Sequence, residues 1–322
     1  MPFSQDSSDA VVLVPPLRGQ LADRSLLRWL SQGLLEELPV PVDTLAQVLR
    51  AVGRDCPRDG LAALRLWGQT GERPAAWIAA AEAVYMEPRL DRLFLHVLGS
   101  DDVTGPELRG LFDALQETLG GDGALGFVRL GGCGYIRSAR PMVTPAKPAV
   151  LLDGQNPDGA LPPAATAAET LKLISEIEMT LHGQPVNAER AARGQPPVNS
   201  LWIWGGGQAP ELRAITVPPL FGGEPLLRGY WASVSGSVRD WPGDIGACLD
   251  ATPGGFVAAV PSQAGAGAVD HGDLAALRDA LRSGRLDRAI LITADGIRAT
   301  LRRADRLRIW RRGAAVLEAP AA

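Results

Sequence analysis

Residues that could bind an anion are concentrated in one segment, Pro185–Gly207. It contains two asparagines, two arginines, two tryptophans and three consecutive glycines: Asn187, Asn199, Arg190, Arg193, Trp202, Trp204, Gly205, Gly206 and Gly207. Guanidinium groups hold phosphates and carboxylates through paired hydrogen bonds. Backbone N–H groups of a glycine loop can meet the same anion. The segment is therefore our candidate site for a small phosphorylated or carboxylate ligand, with His182 as a further candidate just before it.

The same segment also fits a purely structural interpretation. Three glycines can form a plain tight turn, and neither the P-loop pattern nor the dinucleotide-binding pattern is complete here. The tryptophans can be core residues, the arginines can lie on a solvated helix surface, and asparagines readily satisfy backbone groups. For Asn199 this structural role is the preferred interpretation.

Two geometric expectations distinguish these interpretations. The apolar run Leu201–Trp204 predicts a central strand, with Gly205–Gly207 at its carboxyl end and facing a cleft, where α/β sheets bind ligands. Ligand binding further predicts that Asn187, Arg190 and Asn199 share one pocket with the glycine loop.

Other catalytic patterns are missing from the sequence. The three histidines, His96, His182 and His271, are scattered, and no H-E-x-x-H, paired-cysteine or G-x-S-x-G pattern occurs. His96 interrupts an apolar run, which favours a hydrogen-bonded core histidine. Seven arginines lie between Arg298 and Arg312 and could bind phosphate, but protection of a terminal edge strand is the preferred interpretation.

Composition limits the class of protein. The chain has 322 residues, 46% hydrophobic and 21% charged, and a net charge of −4, which indicates a globular protein and argues against a nucleic-acid binder. No apolar run is long enough to span a membrane, and the first residues lack the basic start of a signal peptide. Three cysteines without pairing patterns favour reduced thiols and a cytoplasmic location.

Periodicity and capping signals predict the elements that would position these residues. Strands are expected at 11–14, 93–98, 127–130, 135–137, 201–204, 289–293, 297–301 and 307–310, and helices at 25–38, 42–52, 104–119, 166–182 and 273–281, with 61–86 helical in pieces. Capping boxes are expected at Thr104 and Thr166, and a hairpin turn at Asp295-Gly296.

This order predicts an α/β protein with a central, mostly parallel sheet flanked by helices and an antiparallel C-terminal hairpin. Residues 1–90 are expected to form the first part of the α/β core and residues 91–140 a small inserted α+β unit. Residues 141–322 would form a connector and the second part of the core.

The segment LISEIEMTLHGQPVNAERAARGQPPVNSLWIWGGG resembles the signature of RpfE-type bacterial regulatory proteins. It is similar, more distantly, to archaeal-type cofactor-independent phosphoglycerate mutases, which carry N-x-x-W-x-W-G-x-G and belong to the alkaline phosphatase superfamily. The likeness extends to Val11–Gly33, to residues 104–137, and to the last helix and strand, DHGDLAALRDALRSGRLD and AILITADG.

The resemblance implies two divalent metals held by Asp and His, and a serine nucleophile, but the matching positions differ. The Asp-Gly of the family's first strand is matched by Pro15-Pro16, its Pro-His-Asp by Pro145-Ala146-Lys147, and its Asp-His by Asp295-Gly296. His271, Asp273 and Asp295 remain as weak metal candidates. Three scattered histidines cannot complete a two-metal site, so no cofactor is expected, with Mn or Zn as the alternative.

Together these observations predict a non-catalytic regulatory or binding protein on a phosphoglycerate-mutase-like scaffold. One alternative is a metal-dependent cofactor-independent phosphoglycerate mutase or related phosphatase. Another is a protein-interaction module without a ligand. The sequence identifies no protein partner.

Overall fold

A computed structural model describes residues 8–261, 270–308 and Leu317. The strands among them are β1 (Asp9–Val14), β2 (Leu34–Glu37), β3 (Trp77–Arg89), β4 (Arg92–Val97), β5 (Leu125–Leu130), β6 (Cys133–Ser138), β7 (Ser200–Gly207), β8 (Leu220–Gly222), β9 (Val238–Arg239), β10 (Gly255–Ala259), β11 (Arg288–Thr293) and β12 (Ile297–Arg302). The helices are α1 (Arg24–Gln32), α2 (Thr44–Ala51), α3 (Leu61–Thr70), α4 (Gly105–Leu119), α5 (Ala164–His182), α6 (Pro185–Ala192), α7 (Pro225–Ser233), α8 (Ile245–Ala251) and α9 (His271–Ser283). None of these helices has the length and apolar character needed to cross a membrane.

The chain folds into two compact units. Described residues up to Cys56 and from Leu212 form one, which we call the parallel-sheet unit. Pro57–Glu211 form the other, the antiparallel-sheet unit. The unit boundaries therefore differ from the expected ones at 90 and 140, because the long strand β3 and strand β7 pair within the same sheet as β4–β6.

The parallel-sheet unit contains a seven-stranded sheet in the order β2-β12-β11-β1-β10-β8-β9. Strands β11, β1, β10, β8 and β9 run parallel, whereas β12 pairs antiparallel with β11 and β2 pairs antiparallel with β12. Strand β1 lies centrally, so Val11 and Val12 are fully buried, as expected for a parallel strand covered on both faces. The predicted α/β class with a mostly parallel sheet and helices around it is confirmed.

One face of this sheet packs against α1, α8 and α9. Alternate strand residues such as Val12, Leu291 and Ala299 contact Leu30 and Leu277 in a single hydrophobic cluster. These side chains are at most 2% exposed. Truncating a leucine of this cluster to alanine typically costs about 2–5 kcal/mol of stability, so this layer fixes the sheet against its helices.

The antiparallel-sheet unit is built on β3. Strand β7 pairs along one side of β3, while β6 and β4 pair with successive halves of its other side, and β5 extends the sheet beyond β6. Helices α4 and α5 cover one face through a cluster that includes Leu111, Ile177 and Ile203. All of these strand pairings are antiparallel.

Several local predictions are confirmed. Thr104 forms the expected capping box: its hydroxyl accepts from the N–H of Glu107 (3.4 Å), and the Glu107 carboxylate accepts from the N–H of Thr104 (2.8 Å). The Asp295-Gly296 turn joins β11 to β12 as an antiparallel hairpin.

Other local predictions are wrong. The alanine-rich run after Trp77 forms β3 and not a helix, because Ala79–Ala81 belong to a strand that pairs with β6 and β7, and this tertiary pairing overrides the helix propensity of alanine. The helix expected at 25–38 ends at Gln32, and β2 follows it and pairs with β12.

Two predictions about where elements begin are also wrong. Helix α5 begins at Ala164 without a side-chain cap, and the Thr166 hydroxyl donates to the carbonyl of Pro163 (2.9 Å). Residues Arg303–Leu307 form a 3₁₀ turn where a strand was expected to begin at Leu307, and Ile309 and Trp310 lie outside the described residues. Strand β12 lies between β11 and β2, so Arg298 and Arg302 do not protect a terminal edge.

Candidate functional site

The segment Pro185–Gly207 lies entirely in the antiparallel-sheet unit. Pro185 starts α6, where its missing N–H costs nothing, and the chain then passes through Pro196 and Pro197 into β7. The prediction of a buried strand containing Trp202 and Trp204 is confirmed. The prediction of a central strand whose glycines end a parallel sheet is wrong, because β7 pairs antiparallel with β3, its single partner among the described strands.

The two asparagines satisfy backbone groups. Nδ2 of Asn187 donates to the carbonyls of Leu181 and Val198, both at 2.9 Å, and its Oδ1 accepts from the N–H of Val198 at 2.9 Å. Asn199 bonds both polar groups of Met86: Oδ1 accepts from its N–H (2.7 Å) and Nδ2 donates to its carbonyl (3.0 Å). Each side chain thereby closes a loop onto a neighbouring element, the structural role that was preferred for Asn199.

Arg190 and Arg193 meet an acidic neighbour, Glu107 of α4. Arg190 is 1% exposed; its Nε donates to the carbonyl of Pro196 (2.9 Å) and Nη1 to that of Asp102 (2.7 Å). Nη1 also lies 3.6 Å from Glu107 Oε2, while Arg193 pairs with Glu107 Oε1. Glu107 is therefore the acidic partner that the buried guanidinium of Arg190 requires.

The environment of Glu107 favours its charged form. Burial disfavours ionisation, but the hydrogen bonds from Thr104 and the charges of Arg190 and Arg193 outweigh it and lower the pKa of Glu107 below its ordinary value. The three charges thus form a compact cluster that links α4 to α6 and to Arg193 just after it.

The tryptophans and glycines are packed against protein groups. Trp202 Nε1 donates to the carbonyl of Lys147 (2.9 Å), and the guanidinium of Arg65 lies 5.3 Å from the Trp204 ring centroid. Trp204 Nε1 is buried without a hydrogen-bond partner among the described residues. Arg65 in turn donates to the Tyr135 hydroxyl (3.1 Å) and to Glu82 (2.7 Å).

The N–H groups of Gly205 and Gly206 already have acceptors. Gly205 N–H donates to the carbonyl of Pro145 (2.7 Å) and Gly206 N–H to the hydroxyl of Thr144 (2.8 Å). A Cβ on Gly206 would lie 2.4 Å from Trp77, and one on Gly207 would lie 2.4 Å from the backbone nitrogen of Gly60. Close packing therefore explains the glycines.

The structure does not bring the candidate residues into one pocket. Asn199 precedes β7 and Gly205 lies six residues later, which separates them by about 20 Å at the usual rise per residue of a strand. His182 is exposed at the end of α5. Asn187 and Arg190 lie on α6 and Arg193 directly follows it, but the polar contacts described above join them to other protein groups.

The three weak metal candidates lie in the parallel-sheet unit. Oδ2 of Asp295 accepts from the N–H groups of Leu17 (2.9 Å) and Arg18 (2.7 Å), while its buried Oδ1 has no hydrogen-bond partner among the described residues. Asp273 Oδ1 accepts from the N–H of Ile245 (2.7 Å), and burial raises the pKa of Asp273. His271 is half-buried at the start of α9. The described part of the chain contains no group of three or more His, Cys, Asp or Glu arranged to hold a metal.

A cleft at the carboxyl ends of the parallel strands was missed by the sequence interpretation. It has a volume of about 520 Å³ and is bounded by the ends of β1, β8, β10 and β11. Its described polar side chains are Thr44, Glu224 and Thr293, beside Pro15, Pro16 and several apolar residues. Part of the signal lies in the sequence, since Val11–Val14 and Ala289–Thr293 are both predicted strands, but only the fold shows that they are parallel neighbours.

Comparison with known proteins supports a relationship with phosphoglycerate mutases. A segment of 134 residues is 27% identical to a probable 2,3-bisphosphoglycerate-independent phosphoglycerate mutase of Geobacter sulfurreducens, covering 40% of this chain and 33% of that protein. A segment of 102 residues is 30% identical to the 2,3-bisphosphoglycerate-independent phosphoglycerate mutase of Methanosarcina acetivorans, covering 30% of this chain and 25% of that protein. The matches thus span a third or less of these relatives. No family model matches the chain.

The fold has a solved counterpart. The PH0037 protein of Pyrococcus horikoshii superposes with a TM-score of 0.51 over 92% of this chain and 88% of that one, at 13% sequence identity. At this identity the likeness concerns the fold alone. The sequence matches therefore place the chain near the cofactor-independent phosphoglycerate mutases, as the resemblance implied.

Proposed function

We propose that this chain is a non-catalytic binding or regulatory protein on a phosphoglycerate-mutase-like scaffold, of the RpfE type that its sequence resembles. The observation that carries the proposal is the composition of the cleft at the carboxyl ends of the parallel strands. Ligands of open α/β sheets bind at this edge, so catalytic groups are expected there. The described lining supplies one carboxylate, Glu224, and no histidine.

The donor set does not fit two divalent metals. A two-metal phosphoryl-transfer centre needs several carboxylate and imidazole ligands within a few ångströms. Where the family carries an Asp-Gly pair, this chain has Pro15-Pro16, and Oδ2 of Asp295 is engaged by two backbone N–H groups. We therefore derive no reaction step through Mn or Zn, and we expect the protein to act by binding.

The alternative is a metal-dependent phosphoglycerate mutase or related phosphatase, which the names of its relatives favour. The two functions differ in turnover. We expect the purified chain to convert no 3-phosphoglycerate to 2-phosphoglycerate and to release no phosphate, with or without added Mn²⁺ or Zn²⁺. A metal-dependent turnover that a chelator abolishes would overturn the proposal.

The proposal also assigns a small anionic ligand and a cytoplasmic location. The location is supported by the free cysteines Cys56, Cys133 and Cys248, because reduced thiols are typical of the cytoplasm. Fractionation of cells that produce the protein tests the location, and recovery from another fraction would refute it.

A further inference from the structure

A second cavity, which we call the arginine cavity, lies in the parallel-sheet unit and has a volume of about 350 Å³. Its lining residues come from β2, β11, β12 and the end of α2. Four of them are arginines: Arg50, Arg288, Arg298 and Arg302. Such a concentration of guanidinium groups around one concavity attracts anions.

Strand alternation explains why the arginines point to one side. Ile297, Ala299 and Leu301 of β12 are buried in the cluster that also contains α1 and α9 residues. Arg298 and Arg302 occupy the intervening positions and therefore face the opposite side of the sheet. The pairing of β12 with β11 places Arg302 directly across from Arg288. The arginines of two strands thus converge on one face.

Arg298 is the buried centre of the cavity. It is 8% exposed, its Nε lies 3.7 Å from Glu36 Oε2, and this buried Nε has no hydrogen-bond partner among the described residues. Its Nη1 reaches Gln47 Oε1 at 3.5 Å, the limit of a hydrogen bond. A buried donor without an acceptor is costly, so this position favours an additional anion.

The charges around Arg298 also favour an additional anion. Burial lowers the pKa of Arg298; the charge of Glu36 opposes the change, and the positive charges of Arg50 and Arg288 add to it. Glu36 is partly exposed, with 40% of its side chain accessible, and compensates incompletely. An incoming anion would relieve the repulsion among the three guanidinium groups.

The remaining arginines have different positions. Arg288 is buried in an ion pair with Asp9, to whose Oδ2 its Nε (3.0 Å) and Nη2 (2.5 Å) both donate, so its part in the cavity is secondary to that of Arg298. Arg50 and Arg302 are exposed at the rim of the cavity. An anion entering the cavity would first meet the exposed Arg50 and Arg302 and then the buried Arg298, so donors would surround it.

We propose that the arginine cavity binds a small phosphorylated ligand, whose phosphate accepts from Nε of Arg298 and from the rim arginines Arg50 and Arg302. A volume near 350 Å³ falls in the range of small-molecule pockets, about 300–1,000 Å³. The cavity shares no described lining residue with the cleft at the carboxyl ends of the strands. The inference therefore stands independently of whether the chain catalyses a reaction.

Calorimetric titration of the full chain with inorganic phosphate and with pyrophosphate, at low ionic strength, tests the proposal. We expect saturable binding of one anion per chain, tighter for pyrophosphate because it carries more charge and more acceptor oxygens. Arg298→Gln should weaken the binding by about tenfold or more, since it removes a charge-assisted bond to the anion. Arg50→Gln, at the rim, should weaken it by about threefold, as an exposed ion pair contributes less.

Arg306→Gln is the matched control, because Arg306 belongs to the same arginine-rich run, is exposed and does not line the cavity. It removes the same charge and should leave the affinity unchanged. Arg50→Gln keeps the test valid if Arg298→Gln fails to fold. Absence of saturable binding, or equal weakening by Arg50→Gln and Arg306→Gln, would overturn the proposal.

Discussion

Substitution of Asp295 separates a structural carboxylate from a metal ligand. Asp295 is 8% exposed, and its Oδ2 accepts from the N–H groups of Leu17 and Arg18, which follow Pro15-Pro16 at the end of β1. Asp295→Ala removes two charge-assisted hydrogen bonds and leaves the buried N–H of Leu17 without an acceptor. At about 1–2.5 kcal/mol for each bond, we expect the free energy of unfolding to fall by about 2–5 kcal/mol.

Urea unfolding, followed by far-ultraviolet circular dichroism, measures this change. Asp295→Asn keeps one side-chain oxygen and nearly the same volume, so its loss should be about half as large, roughly 1–2 kcal/mol. Asp250→Ala is the matched control, because Asp250 has 75% of its side chain exposed and pairs with Arg285 at the surface. It should change stability by less than about 0.5 kcal/mol.

A chelator distinguishes the two roles of Asp295. If Asp295 held a metal, removal of the ion would destabilise the original protein by linkage and leave Asp295→Ala unaffected. We expect the chelator to change neither unfolding curve. The reasoning is refuted if Asp295→Ala is as stable as the original chain, or if the chelator destabilises the original chain alone.

Three further predictions concern the antiparallel-sheet unit and are measured by the same unfolding experiment. Asn187→Ala should lower the free energy of unfolding by about 2–4 kcal/mol because it removes three buried hydrogen bonds. Asn199→Ala removes two hydrogen bonds at a half-buried site and should lower it by less. Equal losses in the two variants would argue against these contacts. Tyr135→Phe should cost about 1–2 kcal/mol, since its hydroxyl accepts from Arg65 and donates to Gln69; an unchanged midpoint would contradict this. Glu107 has a lowered pKa in the folded state, so its contribution is present above the ordinary glutamate pKa and disappears as the pH falls through the lowered value. Glu107→Gln should therefore reduce stability at neutral pH and flatten the acid limb of the stability profile, whereas an unchanged acid limb would exclude this role.

The parts of the fold that depend on local signals were predictable. Thr104 and Glu107 specify a helix start through side chains three residues apart, and Asp295-Gly296 specifies a hairpin turn. The parallel core was predictable because strands such as Val11–Val14 are apolar throughout.

Features that depend on distant partners were not predictable in the same way. Trp202 pairs with Glu82, 120 positions earlier in the sequence, and nothing in the local pattern indicates that this pairing is antiparallel. The alanines of β3 favour a helix when isolated, but here they are buried in a strand that pairs with β6 and β7.

The candidate site also depends on contacts between residues that are distant in the sequence. Its residue types favour anion binding in the sequence, whereas in the structure Asn187 bonds to backbone carbonyls and Arg190 to a carbonyl and Glu107, contacts that only the fold creates. The arginine cavity had a readable signal in the alternation of Arg298 and Arg302 with apolar residues. The sequence analysis interprets these arginines as protection of an edge strand. It does so because the residues of β2 fall in a predicted helix, so the pairing of β2 with β12 is not expected.

We propose that the phosphoglycerate-mutase-like scaffold lacks a working metal site in this chain, and the metal content of the protein tests this proposal most directly. The protein would be purified without a chelator or a metal-binding tag, dialysed, and measured for Mn and Zn by elemental mass spectrometry, with and without prior incubation with both ions. We predict far less than one ion of either kind per chain in both samples. Two ions retained per chain after dialysis would contradict the account and favour a metal-dependent mutase.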